Sequence, residues 1–301
     1  MFNSKKCLRT MVGLALLTSL GFTLPASAEG FDTSGVQVDQ SLAARLPGKI
    51  KAAGVITIGS DTAYAPWEYL SEADGQTPVG IDVDIAHAIG AKLGVKIDYQ
   101  TSAFDAILPA LGSKFDLGIS AFTITNERMK AVNFVSYFDS GSLWTVKAGN
   151  PAKFDPADYC GRKIALVTGA WEETVVAEEN EACKTAGKPE IEVLPFATQT
   201  EALTRVAAGG ADATVTGSST MGYAVKQSNG RLETMVAPKG KFSERGANGI
   251  AVAKADMELT QLIADTVNQL IADGTYQALF DHWGVGMEVV KKAEVNPVVK
   301  D

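Results

Sequence analysis

Short apolar segments rich in β-branched residues alternate along the chain with segments whose apolar positions recur every three or four residues. Residues 55–58 and 95–99 are of the first kind, and residues 82–93, which Gly94 follows, are of the second. These periods are typical of strands and helices respectively. Alternating strand and helix units build mostly parallel sheets covered on both faces. The pattern therefore predicts an α/β fold with doubly wound sheets.

The units form two series, which predicts two lobes. Ligands of such folds bind outside the carboxyl ends of the strands. The first series continues with helix 104–111, strand 115–119, helical turn 127–131 and strand 143–147. The second series, after Cys160, has strands 163–167, 191–194 and 213–216, helices 171–183, 200–208 and 221–227, and then strand 250–253 with helices 257–271 and 276–283.

The amino terminus has the features of an export signal. Lys5, Lys6 and Arg9 precede an apolar run at 11–22, and Ala26-Ser27-Ala28 gives the small-residue pattern that a signal peptidase cuts. The run is shorter than the roughly 20 residues that span a bilayer, so a cleaved signal peptide, residues 1–28, is favoured over a retained anchor. We expect a periplasmic protein cut after Ala28. Residues 29–49 are expected to form an extension on the surface.

Charge argues against two classes of partner. The predicted signal peptide holds three of the 27 basic residues and none of the 35 acidic ones, which leaves 24 basic residues and a net charge of −11. An acidic chain without a basic stripe is unsuited to nucleic acid or to an anionic membrane surface.

Few residues are available for metal or nucleophilic chemistry. Two of the three cysteines, Cys160 and Cys183, follow the predicted signal peptide. An even number in an exported chain favours a disulfide over a metal site; two free buried thiols are the alternative. His87 and His282 have no metal-ligand partner at useful spacing, so we expect both to be structural. The sequence predicts no metal site and no cofactor.

Six segments along the chain form a characteristic set: residues 58–69 (IGSDTAYAPWEY), 79–86 (VGIDVDIA), 93–95 (LGV), 104–111 (FDAILPAL), 122–128 (FTITNER) and 271–276 (IADGTY). In order and spacing they resemble the family-3 periplasmic solute-binding proteins, the polar amino-acid receptors of ABC importers. The resemblance implies a type II periplasmic binding protein fold, with two doubly wound lobes joined by a hinge. Lobe 1 is expected to span 50–140 and 246–288, lobe 2 to span 141–245, and a tail to follow at 289–301.

The same resemblance implies a monomer that closes on an amino acid or amino-acid-like solute and delivers it to the membrane permease of an ABC transporter. The main alternative is an enzyme on the same fold, similar to the periplasmic cyclohexadienyl dehydratases, in which Glu172 would act as a protonated acid. A sensory module without transport is a further alternative.

Arg128 is the candidate that grips a ligand carboxylate. A guanidinium offers a planar fork that binds a carboxylate through two hydrogen bonds, and Arg128 follows a threonine-rich turn. The family has an arginine in this role at the matching position. Without the resemblance, a surface arginine would be an equal interpretation.

Lobe 1 is expected to supply the other contacts around the ligand. By resemblance, Asp61 touches the distal part of the ligand, Tyr64 and Phe104 form opposite walls, and a stretch after the third strand meets the head group. Each of these residues could instead belong to the core. The head-group residues are Ser120, Ala121 and Thr123.

Lobe 2 is expected to contribute Gly169, Ala170, Trp171 and Glu172, where a helix amino terminus with free N–H groups would suit a carboxylate. The family commonly has an aspartate for the ligand ammonium at the position that matches Gly217. A desolvated ammonium needs a counter-charge. Either Glu172 supplies it, or Trp171 offers a cation–π face, or the ligand is not an ordinary α-amino acid, for example an ω-amino acid or a betaine-like compound.

Overall fold

The computed structural model describes residues 30–238, 240, 242, 244 and 246–299; the predicted signal peptide lies outside them. The strands are β1 (Val55–Ser60), β2 (Ala63–Tyr64), β3 (Glu68–Leu70), β4 (Pro78–Val79), β5 (Lys96–Thr101), β6 (Leu117–Thr123), β7 (Val132–Ser140), β8 (Ser142–Lys147), β9 (Lys163–Val167), β10 (Glu192–Phe196), β11 (Ala213–Gly217), β12 (Leu232–Met235) and β13 (Gly246–Ala253). The helices are α1 (Gln40–Ala43), α2 (Gly48–Ala53), α3 (Ile81–Leu93), α4 (Phe104–Ile107), α5 (Asn126–Ala131), α6 (Trp171–Thr185), α7 (Gln199–Ala207), α8 (Ser218–Gln227), α9 (Met257–Ala272) and α10 (Thr275–His282).

The strands form two five-stranded sheets, and we call each sheet with its helices a lobe. Lobe 1 has the order β5-β1-β6-β13-β7. Its strands β5, β1 and β6 are parallel, whereas β13 runs antiparallel to both β6 and β7. Lobe 2 has the order β10-β9-β11-β8-β12, with β8 antiparallel to both of its neighbours. The predicted two-lobed α/β fold is confirmed.

The chain passes between the lobes at two places. It leaves lobe 1 after β7 and enters β8 across the single residue Gly141, and it returns between β12 and β13. A small third sheet, β2-β3-β4, follows β1 in lobe 1. The carboxyl ends of β1 and β6 therefore face those of β9 and β11 across the gap between the lobes.

Lobe 1 has the larger core, in which α3, α9 and α10 pack together over the sheet. The Lys92 ammonium is buried within this helical layer, and its Nζ lies 2.6 Å from Oδ2 of Asp273. A buried charge needs such a partner. None of the helices in the described part of the chain combines the length and the apolar character required to cross a bilayer.

The expectation that residues 29–49 lie on the surface is wrong in part. Leu42 and Leu46 are buried in the core of lobe 1. The Asp39 side chain caps α1 by accepting from the N–H groups of Ser41 and Leu42, and the Asp39 N–H donates to the carbonyl of Lys92. Two leucines placed one helical turn apart gain free energy by leaving water, which draws the extension onto α3 and α9.

Two further segments carry structure that the hydrophobic pattern did not indicate. Strand β7 is buried along most of its length. The carboxyl-terminal tail continues the sheet beside it, since Val295 and Val289 form antiparallel bridges with Val135 and Phe138. The tail thereby covers an edge strand that would otherwise expose unpaired backbone groups.

The predicted disulfide is confirmed. Cys160 and Cys183 are bonded, with a Cα–Cα distance of 5.7 Å. Cys160 lies ahead of β9 and Cys183 in the last turn of α6, so the bridge ties the end of this helix to the entrance of its strand.

Candidate functional site

A cleft of about 1300 Å³ separates the lobes. It lies at the carboxyl ends of β1, β6, β9 and β11, where doubly wound sheets bind their ligands. All twelve residues that the sequence predicts for the ligand site line this one cleft: Asp61, Tyr64, Phe104, Ser120, Ala121, Thr123, Arg128, Gly169, Ala170, Trp171, Glu172 and Gly217. Their individual roles toward a ligand stay predictions.

Arg128 bridges the two lobes at one side of the cleft. Thr125 caps α5 by accepting from the Arg128 N–H, which sets the start of this helix. The guanidinium donates from Nη1 to the carbonyl of Thr123 (2.7 Å) and from Nη2 to the carbonyl of Gly169 (2.9 Å). Burial lowers the pKa of Arg128 to about 10, and Glu172 opposes this shift. The group therefore remains a cation at neutral pH.

Aromatic rings surround this cation. The Arg128 Cζ lies 5.6 Å from the ring centre of Phe104 and 5.7 Å from that of Phe122, within cation–π range. The two rings stack on each other, with centres 4.9 Å apart. They fix the side chain of Arg128 at the cleft and limit the water that reaches it.

Glu172 and Glu173 differ although they are adjacent at the start of α6. Glu173 accepts a hydrogen bond from the Gly169 N–H at 2.7 Å and so stabilises the helix amino terminus. Glu172 instead faces the cleft and is only 2% exposed. Burial raises the pKa of Glu172 to about 7, while Thr216 and Arg128 favour its ionised form. Glu172 is thus a buried carboxyl that titrates near neutral pH.

The expectation of free N–H groups ahead of α6 is wrong for two residues. The Gly169 N–H is taken by Glu173, and the Ala170 N–H donates to the carbonyl of Val167. Gly169 has φ +80°, and a Cβ there would lie 2.9 Å from the Cβ of Asp105 in lobe 1. A glycine is required because the lobes approach each other so closely at this turn.

Two side-chain hydrogen bonds close the opposite side of the cleft. The hydroxyls of Tyr64 and Thr216 lie 2.9 Å apart, and the indole N–H of Trp67 donates to Oγ of Ser219 at 2.9 Å. A Cβ on Gly217 would lie 3.1 Å from the Tyr64 Oη. The phenol therefore fills the space in front of Gly217, where the family commonly has an aspartate.

The floor of the cleft is formed by Asp61 and the end of β6. The Ser120 hydroxyl accepts from the Asp61 N–H (2.9 Å) and donates to Oε1 of Glu68 (2.7 Å). It is therefore already engaged within lobe 1. Burial raises the pKa of Asp61 to about 6, and Glu201 raises it further. Ala121 has φ +44°, a conformation that residues with a Cβ seldom adopt.

Residues 56–286 match the family model of the bacterial extracellular solute-binding proteins, family 3. The chain belongs to this family. The resemblance found in the sequence is confirmed, and the protein is a solute-binding protein.

The relatives that this chain matches include amino-acid-binding proteins. The arginine-binding protein ArgT of Corynebacterium glutamicum is 28% identical over 260 residues, which cover 84% of this chain and 82% of the relative. The L-arginine-binding protein of Pseudomonas aeruginosa is 31% identical over 235 residues, covering 76% and 87%. Among solved structures, the ancestral amino acid-binding protein AncCDT-1, a precursor of cyclohexadienyl dehydratase, matches with a TM-score of 0.65 and 30% identity, over 78% of this chain and 97% of that one.

Four residues that shape the site of this solute-binding protein were missed in the sequence. Thr216 and Trp67 make contacts between the lobes, and Glu68 and Asp82 support the floor. Thr216 could have been found, because it lies at the carboxyl end of a predicted strand. The described residues contain no group of three or more histidine, cysteine or acidic side chains placed to hold a metal ion.

Proposed function

We propose that this protein captures an amino acid or an amino-acid-like solute in the periplasm and delivers it to the permease of an ABC importer. Export after cleavage at Ala28 and a monomeric state belong to the same proposal. The names of the relatives, which specify arginine and other amino acids, support the ligand class. The contacts between the lobes support binding by closure about the two crossing segments.

The observation that carries the proposal is that Arg128 and Glu172, two buried groups of opposite charge, line the same cleft. Each group belongs to a different lobe, and each acts electrostatically on the other. Burying a charge is costly unless an opposite charge compensates it. A solute with a carboxylate for Arg128 and a cationic group for Glu172 satisfies both, and only when the lobes are closed.

A cationic amino acid fits the charges best. Arg128 lines the cleft together with two buried carboxyl groups, those of Asp61 and Glu172. A solute with one carboxylate and two cationic groups provides an opposite charge for each of these three side chains. An ω-amino acid or a betaine balances Arg128 and one carboxyl group only. With Gly217 unable to pair with an ammonium, Glu172 takes that role in our proposal.

Substituting Arg128 with alanine tests the function. Loss of one partner of a buried charge pair costs about 2–5 kcal/mol, which corresponds to roughly 30- to several-thousand-fold in affinity. The measurement is isothermal titration with L-arginine, L-lysine, γ-aminobutyrate and glycine betaine, on protein unfolded and refolded to remove carried-over solute.

Arg45→Ala is the matched control, because Arg45 forms a surface salt bridge with Asp265 far from the cleft. It should bind as the parent does. Binding by Arg128→Ala within about threefold of the parent would contradict the proposed role of Arg128. Failure of all four solutes to bind the parent protein would contradict the ligand class.

One observation favours a second function. A buried carboxyl with a pKa near 7, such as that of Glu172, suits general acid–base chemistry, and AncCDT-1 is described as a precursor of an enzyme. Incubation with prephenate or arogenate distinguishes the two functions, since an enzyme would release an aromatic product that Glu172→Gln abolishes.

A further inference from the structure

Two carboxyl groups, Glu68 and Asp82, lie together beneath the floor of the cleft. Both side chains are fully buried, at 0% exposure. In the described part of the chain neither forms an ion pair. Two ionised carboxylates in contact without a cation would repel each other and would lack hydration.

Hydrogen bonds show which of the two is the better anion. Asp82 accepts from the Ala121 N–H at 2.8 Å and from the Tyr137 hydroxyl at 2.5 Å. Among the described residues, Glu68 accepts only from the Ser120 hydroxyl, through Oε1. Within the described part of the chain, Oε2 of Glu68 is buried without a hydrogen-bond partner, and the Asp82 carboxyl is near enough to act on Glu68 electrostatically. A proton on this oxygen of Glu68 would make it a hydrogen-bond donor to the neighbouring Asp82 carboxylate, which can only accept.

We propose that Glu68 carries a proton that it donates to Asp82, and that this acid–carboxylate pair is a positioning element that fixes Ser120 and Ala121 under the ligand. The pair holds the floor at two points. Glu68 anchors the Ser120 hydroxyl, which in turn accepts from the Asp61 N–H. Asp82 anchors the N–H of Ala121 and thereby maintains the left-handed conformation of that residue, which a side chain disfavours.

One surrounding acid favours the protonated state of Glu68, because the charge of the Asp61 carboxylate raises the Glu68 pKa. Asp61 follows β1, Tyr99 lies on β5, Tyr137 on β7, and all of them bring acidic or phenolic groups toward the pair. Burial is the main cause that raises the pKa of Glu68 well above its ordinary value, and Asp82 adds to it. The pKa of Asp82 is raised by burial but lowered by its hydrogen bonds, so the proton belongs to Glu68.

Infrared spectroscopy tests the proton directly, without any ligand. A protonated carboxyl has a C=O stretch distinct from that of a carboxylate. We expect such a band in the Glu172→Gln protein at pH of about 8, where the other cleft carboxyl groups are ionised. Glu68→Gln in the same background should remove it. Absence of the band in the Glu172→Gln protein, which retains Glu68, would overturn the proposal, as would its persistence after Glu68→Gln.

Affinity for L-arginine tests the positioning role, and only this second readout depends on the proposed function. The amide that Glu68→Gln introduces would still donate to Asp82, so this variant should bind within about threefold of the parent. Glu68→Ala removes the donor and should weaken binding by about tenfold or more. Equal affinity of Glu68→Ala and the parent would refute the positioning role even if the infrared band is found.

The pH dependence of stability is a second test of the proton on Glu68. A carboxyl whose pKa is raised on folding binds its proton more tightly in the native state, so stability falls as pH rises above the ordinary value of about 4.5. The Glu68→Gln protein should lose part of this decline in thermal midpoint between about pH 5 and 9. An unchanged decline would contradict a proton on Glu68.

Discussion

Acidification should weaken the binding of a cationic amino acid, because it neutralises the buried carboxyl of Glu172. In the free protein the pKa of Glu172 is about 7, raised mainly by burial. A bound cation would compensate the carboxylate and lower this pKa again. Binding of the cation is therefore linked to loss of the proton.

The magnitude follows from the fraction of Glu172 that is ionised. With a pKa of about 7, that fraction falls from about 0.9 at pH 8 to about 0.01 at pH 5, which predicts a loss of about 100-fold in affinity, or roughly 2.7 kcal/mol. Protonation of Asp61, which has a pKa of about 6, lowers the affinity by about another tenfold at pH 5. The wild-type affinity should thus fall by about 1000-fold in all.

Calorimetric titration with L-arginine at several pH values measures this dependence. Glu172→Gln should bind weakly throughout and retain only the roughly tenfold change that Asp61 produces. Glu173→Gln is the matched control, because Glu173 stabilises the helix start without being buried in the cleft, and it should keep the wild-type dependence. A wild-type affinity that is flat between pH 5 and 8, or an equal slope in Glu172→Gln, would refute the reasoning.

Three further predictions concern stability and specificity. Replacing Cys160 and Cys183 with serine removes a link across a sequence separation of 23. In the chain-entropy model this should lower the free energy of unfolding, measured by urea denaturation, by about 3 kcal/mol. A change under about 1 kcal/mol would contradict that model here. Trp171→Ala should weaken binding about tenfold or more, by loss of the proposed cation–π contact. Gly217→Asp should leave affinity unchanged or lower, because a Cβ at this position lies 3.1 Å from the Tyr64 hydroxyl oxygen. Tighter binding of ordinary L-α-amino acids by Gly217→Asp, with no effect of Trp171→Ala, would show that the ligand pose is conventional. Tyr64→Phe deletes the bond to Thr216 and should reduce affinity by about fivefold, near 1 kcal/mol, and an unchanged affinity would show that this bond does not stabilise the closed state.

Local sequence determined the order of the main βα units and the place of the cleft. The βα alternation predicts the fold class because periodicity depends only on near neighbours in the chain. Gly94 ends α3, and Thr125 caps the start of α5. Strand-end positions indicated Asp61 and Tyr64, since the carboxyl ends of parallel strands meet at one edge of a sheet. Arg128 was indicated by the family resemblance.

Only the tertiary structure decided which of two adjacent acids is buried at the cleft. Glu172 and Glu173 have the same chemistry and the same place at a helix start, yet one is buried beside Arg128 and the other caps the helix. The contact between Arg128 and Gly169 joins residues 41 positions apart. Burial and charge pairing depend on how distant segments pack, and the pKa values that follow from them are therefore absent from any local pattern.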